Sequence, residues 1–101
     1  IDKSVAAAAL ELWLFDRTYT NPSDNAAFTI SDADLANCIG VIPITTADYC
    51  VATDNEVATV RPCLQFTANA TSIFGQLKCV ATPTYASTSD LTVKLNIEYF
   101  D

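Results

Sequence analysis

The sequence predicts an all-β fold: an antiparallel β-sandwich, jelly-roll-like, with one short helix near residues 32–38. Apolar and polar residues alternate in several short segments, which is typical of strands with one buried face. Clusters of turn-forming residues separate these segments. The chain has 101 residues, 50% of them hydrophobic and 17% charged, so we expect a single domain over residues 1–101 with a core of its own.

The first predicted strand is ALELWLFD, residues 9–16, and the alanines at 6–9 could extend it. One face of this strand carries leucines at alternate positions, namely Leu10, Leu12 and Leu14. The other face carries Trp13 and Phe15 beside Glu11, so it is largely apolar as well. A strand that is apolar on both faces is covered on both faces, either by its own chain or by a neighbour.

The segment SDADLANCIG, residues 31–40, raises the question of a metal site because Asp32 and Asp34 are one residue apart. A calcium loop of the EF-hand type that began at Asp32 would need an oxygen ligand at its fifth position and a glycine at its sixth. The sequence has Ala36 and Asn37 there. We therefore predict no metal at Asp32 and Asp34.

A short capped helix explains the same segment better. Ser31 is suited to be the N-cap, and the two aspartates fall in the first turn, where the helix dipole favours negative charge. Gly40 is expected to close the far end, and Leu35, Cys38 and Ile39 have the spacing of one packed helix face. A turn is predicted before this helix at residues 21–25.

Three strands are predicted in the middle of the chain. VIPI at 41–44 contains Pro43 and so belongs at an edge or a bulge. DYCVA at 48–52 is followed by a turn at 53–56, and a longer strand at 57–68 is interrupted by Arg61 and Pro62.

The last two strands follow a tight connection at 68–71. SIFGQLKCVA at 72–81 alternates and is expected to form a hairpin with the strand before it. DLTVKLNIEYF at 90–100 has the clearest alternation in the sequence. Its predicted core face is formed by Leu91, Val93, Leu95, Ile97 and Tyr99.

Charge and hydropathy exclude several classes of partner. The chain has 5 basic and 12 acidic residues, a net charge of −7, and would be repelled by phosphate backbones, so we expect no nucleic acid. No apolar run reaches the roughly 20 residues that a bilayer requires, so we expect no membrane. The chain starts at Ile1 and contains no methionine, and we expect that an N-terminal part of the product is missing.

The four cysteines, Cys38, Cys50, Cys63 and Cys79, do not have zinc-site spacing, and the chain contains no histidine. They could be buried thiols or form up to two disulfides with three possible connectivities, and both alternatives stay open. The lack of histidine also removes the usual general base, and two glycines are too few for a phosphate-binding loop. We therefore expect no enzyme activity, no catalytic residue and no cofactor.

The aromatic residues suggest a binding surface. Trp13, Tyr19, Tyr49, Tyr85 and Phe100 could form a platform for sugars, although aromatics in a β-sandwich more often fill the core or a subunit interface. Our interface candidates are Trp13, Phe15, Tyr19 and Tyr85.

Three stretches carry a resemblance: LELWLFD at 10–16, DNAAFTISDADLANCIGVI at 24–42 and FGQLKCVATPTYASTSDLTVKLNIEYFD at 74–101. Together they resemble the small structural proteins of tailed-phage head modules, which decorate or cement a capsid. The shared features are a strand ending in Phe-Asp, the DNAAF lead into a capped helix, and the TPTYAS turn before the last strand. The resemblance covers about half of the chain and does not include the cysteines.

The resemblance implies a β-rich virion protein on the outer surface of a capsid, assembled in the host cytoplasm. Its partner would be the major capsid protein, and it would form a homo-oligomer. The acidic balance suits the outside of a head better than its DNA-filled interior. Two alternatives remain: a carbohydrate- or host-receptor-binding module, and a subunit of an extracellular filament or pilus completed by a donated strand.

Overall fold

The fold was analysed in a computed structural model that describes residues 1–23, 26–67, 71–87 and 89–98. Within these ranges, none of the helices is long and apolar enough to cross a bilayer. In chain order the elements are β1 (Leu10–Phe15), α1 (Asp32–Leu35), β2 (Cys38–Ile44), a 3₁₀ turn (Thr46–Asp48), β3 (Tyr49–Ala52), β4 (Asn55–Ala58) and β5 (Phe74–Cys79).

The strands form two antiparallel sheets, which confirms the all-β prediction. The larger sheet has the order β2-β1-β5, and the smaller one is the β3–β4 hairpin. In the larger sheet, Leu12 of β1 lies opposite Ile42 of β2 and Leu77 of β5. A jelly-roll arrangement of these strands stays a prediction.

The core lies on the leucine face of β1, as its alternation predicts. Leu10, Leu12 and Leu14 are buried. The cluster formed by Leu12, Leu14 and Ile42 is covered by Ile39, Leu77, Val60 and Leu64, of which the last two come from an irregular segment at 59–67.

A glycine in β2 marks a point of close packing in this core. A Cβ atom built on Gly40 would lie 2.6 Å from Leu64 Cδ1, which is closer than two carbons can approach. Gly40 therefore allows Leu64 to pack directly against the backbone of β2.

Helix α1 is present but shorter than predicted. Ser31 is its N-cap, and the Ser31 Oγ accepts a hydrogen bond of 3.1 Å from the Asp34 amide. The helix ends at Leu35, however, and Gly40 lies in β2 rather than at the helix end. The helix stops early because the chain from Cys38 onward is paired with β1, and Leu35 itself remains 47% exposed.

The middle strands agree with the sequence only in part. Pro43 lies in β2, an edge strand of the larger sheet, as expected. The β3–β4 turn consists of Thr53 and Asp54, and β4 already begins at Asn55. The long strand predicted at 57–68 is wrong, because β4 ends at Ala58 and no strand is assigned to residues 59–67.

Strand β5 does not pair with the strand that the sequence predicts. It pairs along its whole length with β1 and not with the segment before it, so the predicted hairpin is wrong. Residues 68–70 of the predicted connection, and residues 24 and 25 of the predicted turn at 21–25, lie outside the described residues.

The predicted C-terminal strand is wrong over residues 90–98. Leu91 forms an isolated bridge with Asp2, and no strand is assigned to residues 92–98. Its intended core residues Val93, Leu95 and Ile97 are 45%, 41% and 45% exposed. The alternation gives this segment one apolar face and one polar face, but no strand of the described chain pairs with it. Tyr99, the last residue of the predicted core face, lies outside the described residues.

The alanines at 6–9 do not extend β1. Val5 and Ala7 have φ angles of 53° and 45°, in the left-handed region that side chains with a Cβ rarely adopt. These angles turn the backbone amides of this segment toward two buried carboxyl groups, and the strand starts only at Leu10.

All four cysteines are free thiols. Cys38 is half-buried, whereas Cys50, Cys63 and Cys79 are exposed. The expectation of buried thiols is therefore wrong for these three.

Candidate contact surface

The face of the larger sheet that points away from the leucine core is the candidate contact surface. The strand register brings together residues from three strands on this outer face, two from each strand: Val41, Pro43, Glu11, Trp13, Gln76 and Lys78. Because β1 is the central strand, its residues lie in the middle of this face.

Trp13 is the centre of the outer face and is half-buried. Its ring is tilted by 47° against the ring of Phe28, with the ring centroids 5.2 Å apart. Its indole Nε1 donates a hydrogen bond of 3.2 Å to Glu11 Oε1. The indole is thus fixed at two points while part of its surface remains accessible.

An ion pair lies beside the tryptophan. Lys78 Nζ is 3.2 Å from Glu11 Oε1 and also lies 5.4 Å from the centroid of the Phe28 ring. The hydrogen bond from Trp13, together with the Lys78 ammonium, lowers the pKa of Glu11 below its usual value. Both partners are about one-third exposed, so this pair orients side chains more than it stabilises the fold.

Phe15, at the end of β1, is covered by its own chain and has no exposed surface. The ring of Tyr19 stacks on it with the centroids 4.3 Å apart. The Tyr19 hydroxyl lies 3.0 Å from the carbonyl oxygen of Gly75 and 3.1 Å from Gln76 Oε1, which fixes Tyr19 over β5. Phe15 is therefore corrected from a contact residue to a supporting one, whereas Tyr19 is half-buried.

The β2 side of the outer face is its most accessible apolar part. Val41 lies opposite Trp13 and is 37% exposed, and Pro43 lies opposite Glu11 and is exposed as well. The surface thus consists of apolar groups on β1 and β2 beside charged and polar groups on β5. This combination is typical of protein–protein contacts.

A second cluster, which the sequence analysis did not predict, is formed by two buried carboxyl groups. Asp2 and Glu56 are both 0% exposed. Their backbones exchange two hydrogen bonds of 2.9 Å, which joins the N-terminal segment to β4. Acidic side chains are almost never fully buried unless they have partners.

Backbone amides supply these partners. Asp2 Oδ1 accepts from the Ser4 amide at 2.7 Å, and Asp2 Oδ2 accepts from the Ala6 amide at 2.8 Å. Glu56 Oε1 accepts from the Ala7 amide. The left-handed φ angles of Val5 and Ala7 are what turn successive amides to one side, in an anion-binding concavity of the kind called a nest.

The pKa values of the two carboxyl groups are shifted in opposite directions. Burial alone raises the pKa of Asp2, but hydrogen bonds from the Glu56 side chain and from the amides outweigh it, and the pKa is lowered overall. Burial and the hydrogen bond with Asp2 raise the pKa of Glu56. The two opposite shifts make Asp2 the more acidic and Glu56 the less acidic member of the pair.

Two tyrosines lie near this pair. The Tyr49 hydroxyl donates a hydrogen bond of 2.8 Å to the Ala8 carbonyl. Burial, followed by the charges of Tyr85, Asp2, Glu56 and Cys79, raises its pKa to about 12. Burial also raises the pKa of Tyr85, whose hydroxyl is buried without a hydrogen-bond partner, with Asp2, Cys79 and Glu56 adding to the effect.

The sequence-predicted interface residues therefore divide into two places. Trp13 and Tyr19 belong to the outer face, with Phe15 beneath Tyr19, whereas Tyr85 interacts with the carboxyl pair. Phe100, which was considered for a sugar platform, lies outside the described residues. The role of Trp13, Tyr19 and Tyr85 as contact residues stays a prediction.

The described part of the chain contains no group of three or more His, Cys, Asp or Glu side chains that could hold a metal ion. Asp34 Oδ2 accepts a hydrogen bond of 3.1 Å from the Thr20 amide, so its carboxylate connects α1 to the preceding loop.

Comparison with known proteins found no matching family model, no matching curated protein and no matching solved structure.

Proposed function

We propose that this protein is a virion structural protein that decorates or cements a tailed-phage capsid. It binds the major capsid protein on the outer surface of the shell as a homo-oligomer. It carries out no reaction and needs no cofactor. The proposal rests on the resemblance of residues 10–16, 24–42 and 74–101 to head-module proteins, and on one structural observation.

That observation is the outer face of the larger sheet. Val41 and Pro43 expose apolar surface beside the half-buried Trp13, and the Glu11–Lys78 ion pair lies next to them. Trp13 is held by Phe28 and Glu11 before any partner binds, so little side-chain freedom is lost on binding. Tryptophan and tyrosine are enriched among the residues that contribute most to binding, and these residues cluster near the centre of an interface.

The mechanism is the sum of such contacts over many copies. Each copy that covers a junction between capsid subunits adds buried area that has to be broken before the shell can open. The shell then resists the pressure of its packed DNA better, without any chemical step.

The test compares two valine variants that carry the same change. Val41→Asp places a charge on the outer face, whereas Val51→Asp places it on β3, where the valine is 61% exposed. Binding to shells of the cognate major capsid protein is measured by cosedimentation. We expect Val41→Asp to bind at least about tenfold more weakly and Val51→Asp to bind like the unmodified protein, since a buried unpaired charge is strongly unfavourable.

The proposal fails if the unmodified protein does not sediment with the shells. If both variants bind equally well, the contact with the capsid does not lie on the outer face. Circular dichroism of each variant is the control for folding.

One observation favours a second candidate, a filament subunit completed by a donated strand. Residues 93–98 alternate like a strand but have no partner strand in the described chain. Electron microscopy of the purified protein separates the two functions, because a filament subunit polymerises without a capsid.

A further inference from the structure

The segment 92–98, Thr-Val-Lys-Leu-Asn-Ile-Glu, is a strand-like sequence without an intramolecular partner strand in the described chain. All seven residues are exposed. Within the described residues, no backbone group of 93–98 forms a hydrogen bond with another part of the chain. An unpaired segment with apolar residues at alternate positions is a template for pairing with a further strand.

The beginning of this segment is already aligned in a ladder. Lys3 donates its amide to the Asp90 carbonyl, and Thr92 donates its amide to the Ile1 carbonyl, each at 2.9 Å. Asp2 forms antiparallel bridges both to Leu91 and to Glu56 of β4. Residues 90–92 therefore pair with the N-terminal residues 1–3. These N-terminal residues pair in turn with β4 of the β3–β4 hairpin, through Asp2 and Glu56. A strand that pairs with 92–98 would extend an existing ladder.

The sequence of 92–98 is complementary to itself in the antiparallel direction. With a twofold axis at Asn96, Lys94 lies opposite Glu98 of a second copy, and the same pair occurs again by symmetry. Leu95 then lies opposite Ile97 on the other face. Each face thus has matched chemistry, two ion pairs on one side and two apolar pairs on the other.

We propose that a second copy of this chain binds here, and that residues 94–98 of two copies pair antiparallel about a twofold axis at Asn96. The result is a closed dimer, because the same segment serves both copies. Leu95 and Ile97, which are 41% and 45% exposed in one chain, become a continuous apolar strip across the two strands. This inference does not depend on the capsid, because it concerns the isolated protein.

The test uses charge reversal at the two ends of the predicted ion pair. In the Lys94→Glu variant, the introduced carboxylate lies opposite Glu98 of the second copy, and in the Glu98→Lys variant two ammonium groups lie opposite each other. Each substitution creates two like-charge pairs by symmetry, and we expect dimerisation to weaken by about tenfold or more. Sedimentation equilibrium over a range of protein concentrations measures the change.

Mixing the two variants provides the decisive readout. A heterodimer of Lys94→Glu with Glu98→Lys has an opposite-charge pair at both positions, whereas each homodimer has two like-charge pairs. A one-to-one mixture is therefore expected to dimerise more strongly than either component. The double variant, which restores both opposite-charge pairs, is expected to dimerise about as well as the unmodified protein. Arg61→Glu, which changes the net charge as much as Lys94→Glu does but lies at an exposed position in the irregular segment, is the control.

Four results would overturn the proposal. They are a monomer at every concentration, a dimer that neither single variant weakens, a double variant that stays as weak as the single ones, and open-ended polymers. The last would support strand donation in a filament. Both substituted residues are exposed, so unchanged circular dichroism is expected for the single variants and confirms that they fold.

Discussion

At the scale of single residues, the buried carboxyl pair determines how the N-terminal segment is held. Asp2 and Glu56 are 54 positions apart, and nothing in the sequence near either residue indicates that they meet. Two ionised carboxylates could not share this site, because their mutual repulsion would be barely screened away from water. The raised pKa of Glu56 means that this carboxyl keeps its proton to a higher pH in the folded state than in the unfolded state.

This proton makes stability depend on pH. The pKa of folded Glu56 is raised above its ordinary value of 4.5, so the folded state retains a proton that the unfolded state releases. The free energy of unfolding should then fall as the pH rises from 4.5 through the raised pKa. Asp2 has a lowered pKa, so its contribution changes only below its ordinary value of 3.8.

We predict that Glu56→Gln removes most of this decline. Glutamine is always neutral, can donate to Asp2 through its amide nitrogen, and can accept from Ala7 through its oxygen. The stability of the variant relative to the unmodified protein should therefore increase as the pH rises from 4.5 through the raised pKa of Glu56, as urea unfolding at several pH values would measure.

Glu11→Gln is the matched control for this experiment. Glu11 has a lowered pKa, so its effect on stability is confined to pH values below 4.5. It should leave the slope above that value unchanged. A Glu56→Gln protein that declines as steeply as the unmodified protein would mean that Glu56 is ionised in the folded state.

At the scale of elements, the β3–β4 hairpin contains a correctable strain. Its two-residue turn places Thr53 at φ = 54°, a left-handed conformation that is unfavourable for a β-branched residue. Asparagine and glycine are the residues that such turns prefer.

We predict that Thr53→Asn raises the free energy of unfolding by about 0.5–1 kcal/mol, because asparagine adopts this conformation at lower cost. Thermal and urea unfolding would measure the change. Thr53→Ala also removes the β-branch but lacks the short polar side chain that hydrogen-bonds the local backbone, and it should give a clearly smaller gain. If asparagine stabilises no more than alanine does, the turn has a different backbone conformation.

Strand patterns in the sequence predicted individual elements better than their pairing. The leucine face of β1 and the edge position of Pro43 are local properties, and both are confirmed. Alternation does not specify which strands pair. It therefore could not predict that β5 pairs with β1, or that residues 92–98 have no partner strand in the described chain. The helix was predicted too long because pairing of Cys38 with Phe15 competes with helical propensity.

The candidate site was predictable to a similar extent. Alternation in β1 identified Trp13 as lying opposite the core. It could not reveal that Tyr19 covers Phe15 or that Phe28 packs on Trp13, since both come from the long connection after the strand. The positive charge of Lys78 beside Trp13 follows from the β1–β5 register, which becomes visible only in the folded chain.

At the scale of the whole molecule, the net charge of −7 governs self-association. Copies of the chain repel one another at neutral pH, and this repulsion disappears near the isoelectric point of about 4.1. We predict that light scattering at fixed concentration passes through a maximum near that pH and falls on return to pH about 7. Equal scattering at both pH values would show that contacts between copies are insensitive to overall charge.

The chain contains one tryptophan, and that residue is Trp13 in the middle of the outer face. The tryptophan emission of the protein therefore depends on the surroundings of this one residue. Any macromolecule that covers this location displaces water from the indole and shifts the emission to shorter wavelength, without a label and without altering the protein. Purified candidate partners that contain no tryptophan could be tested in this way for binding to the outer face.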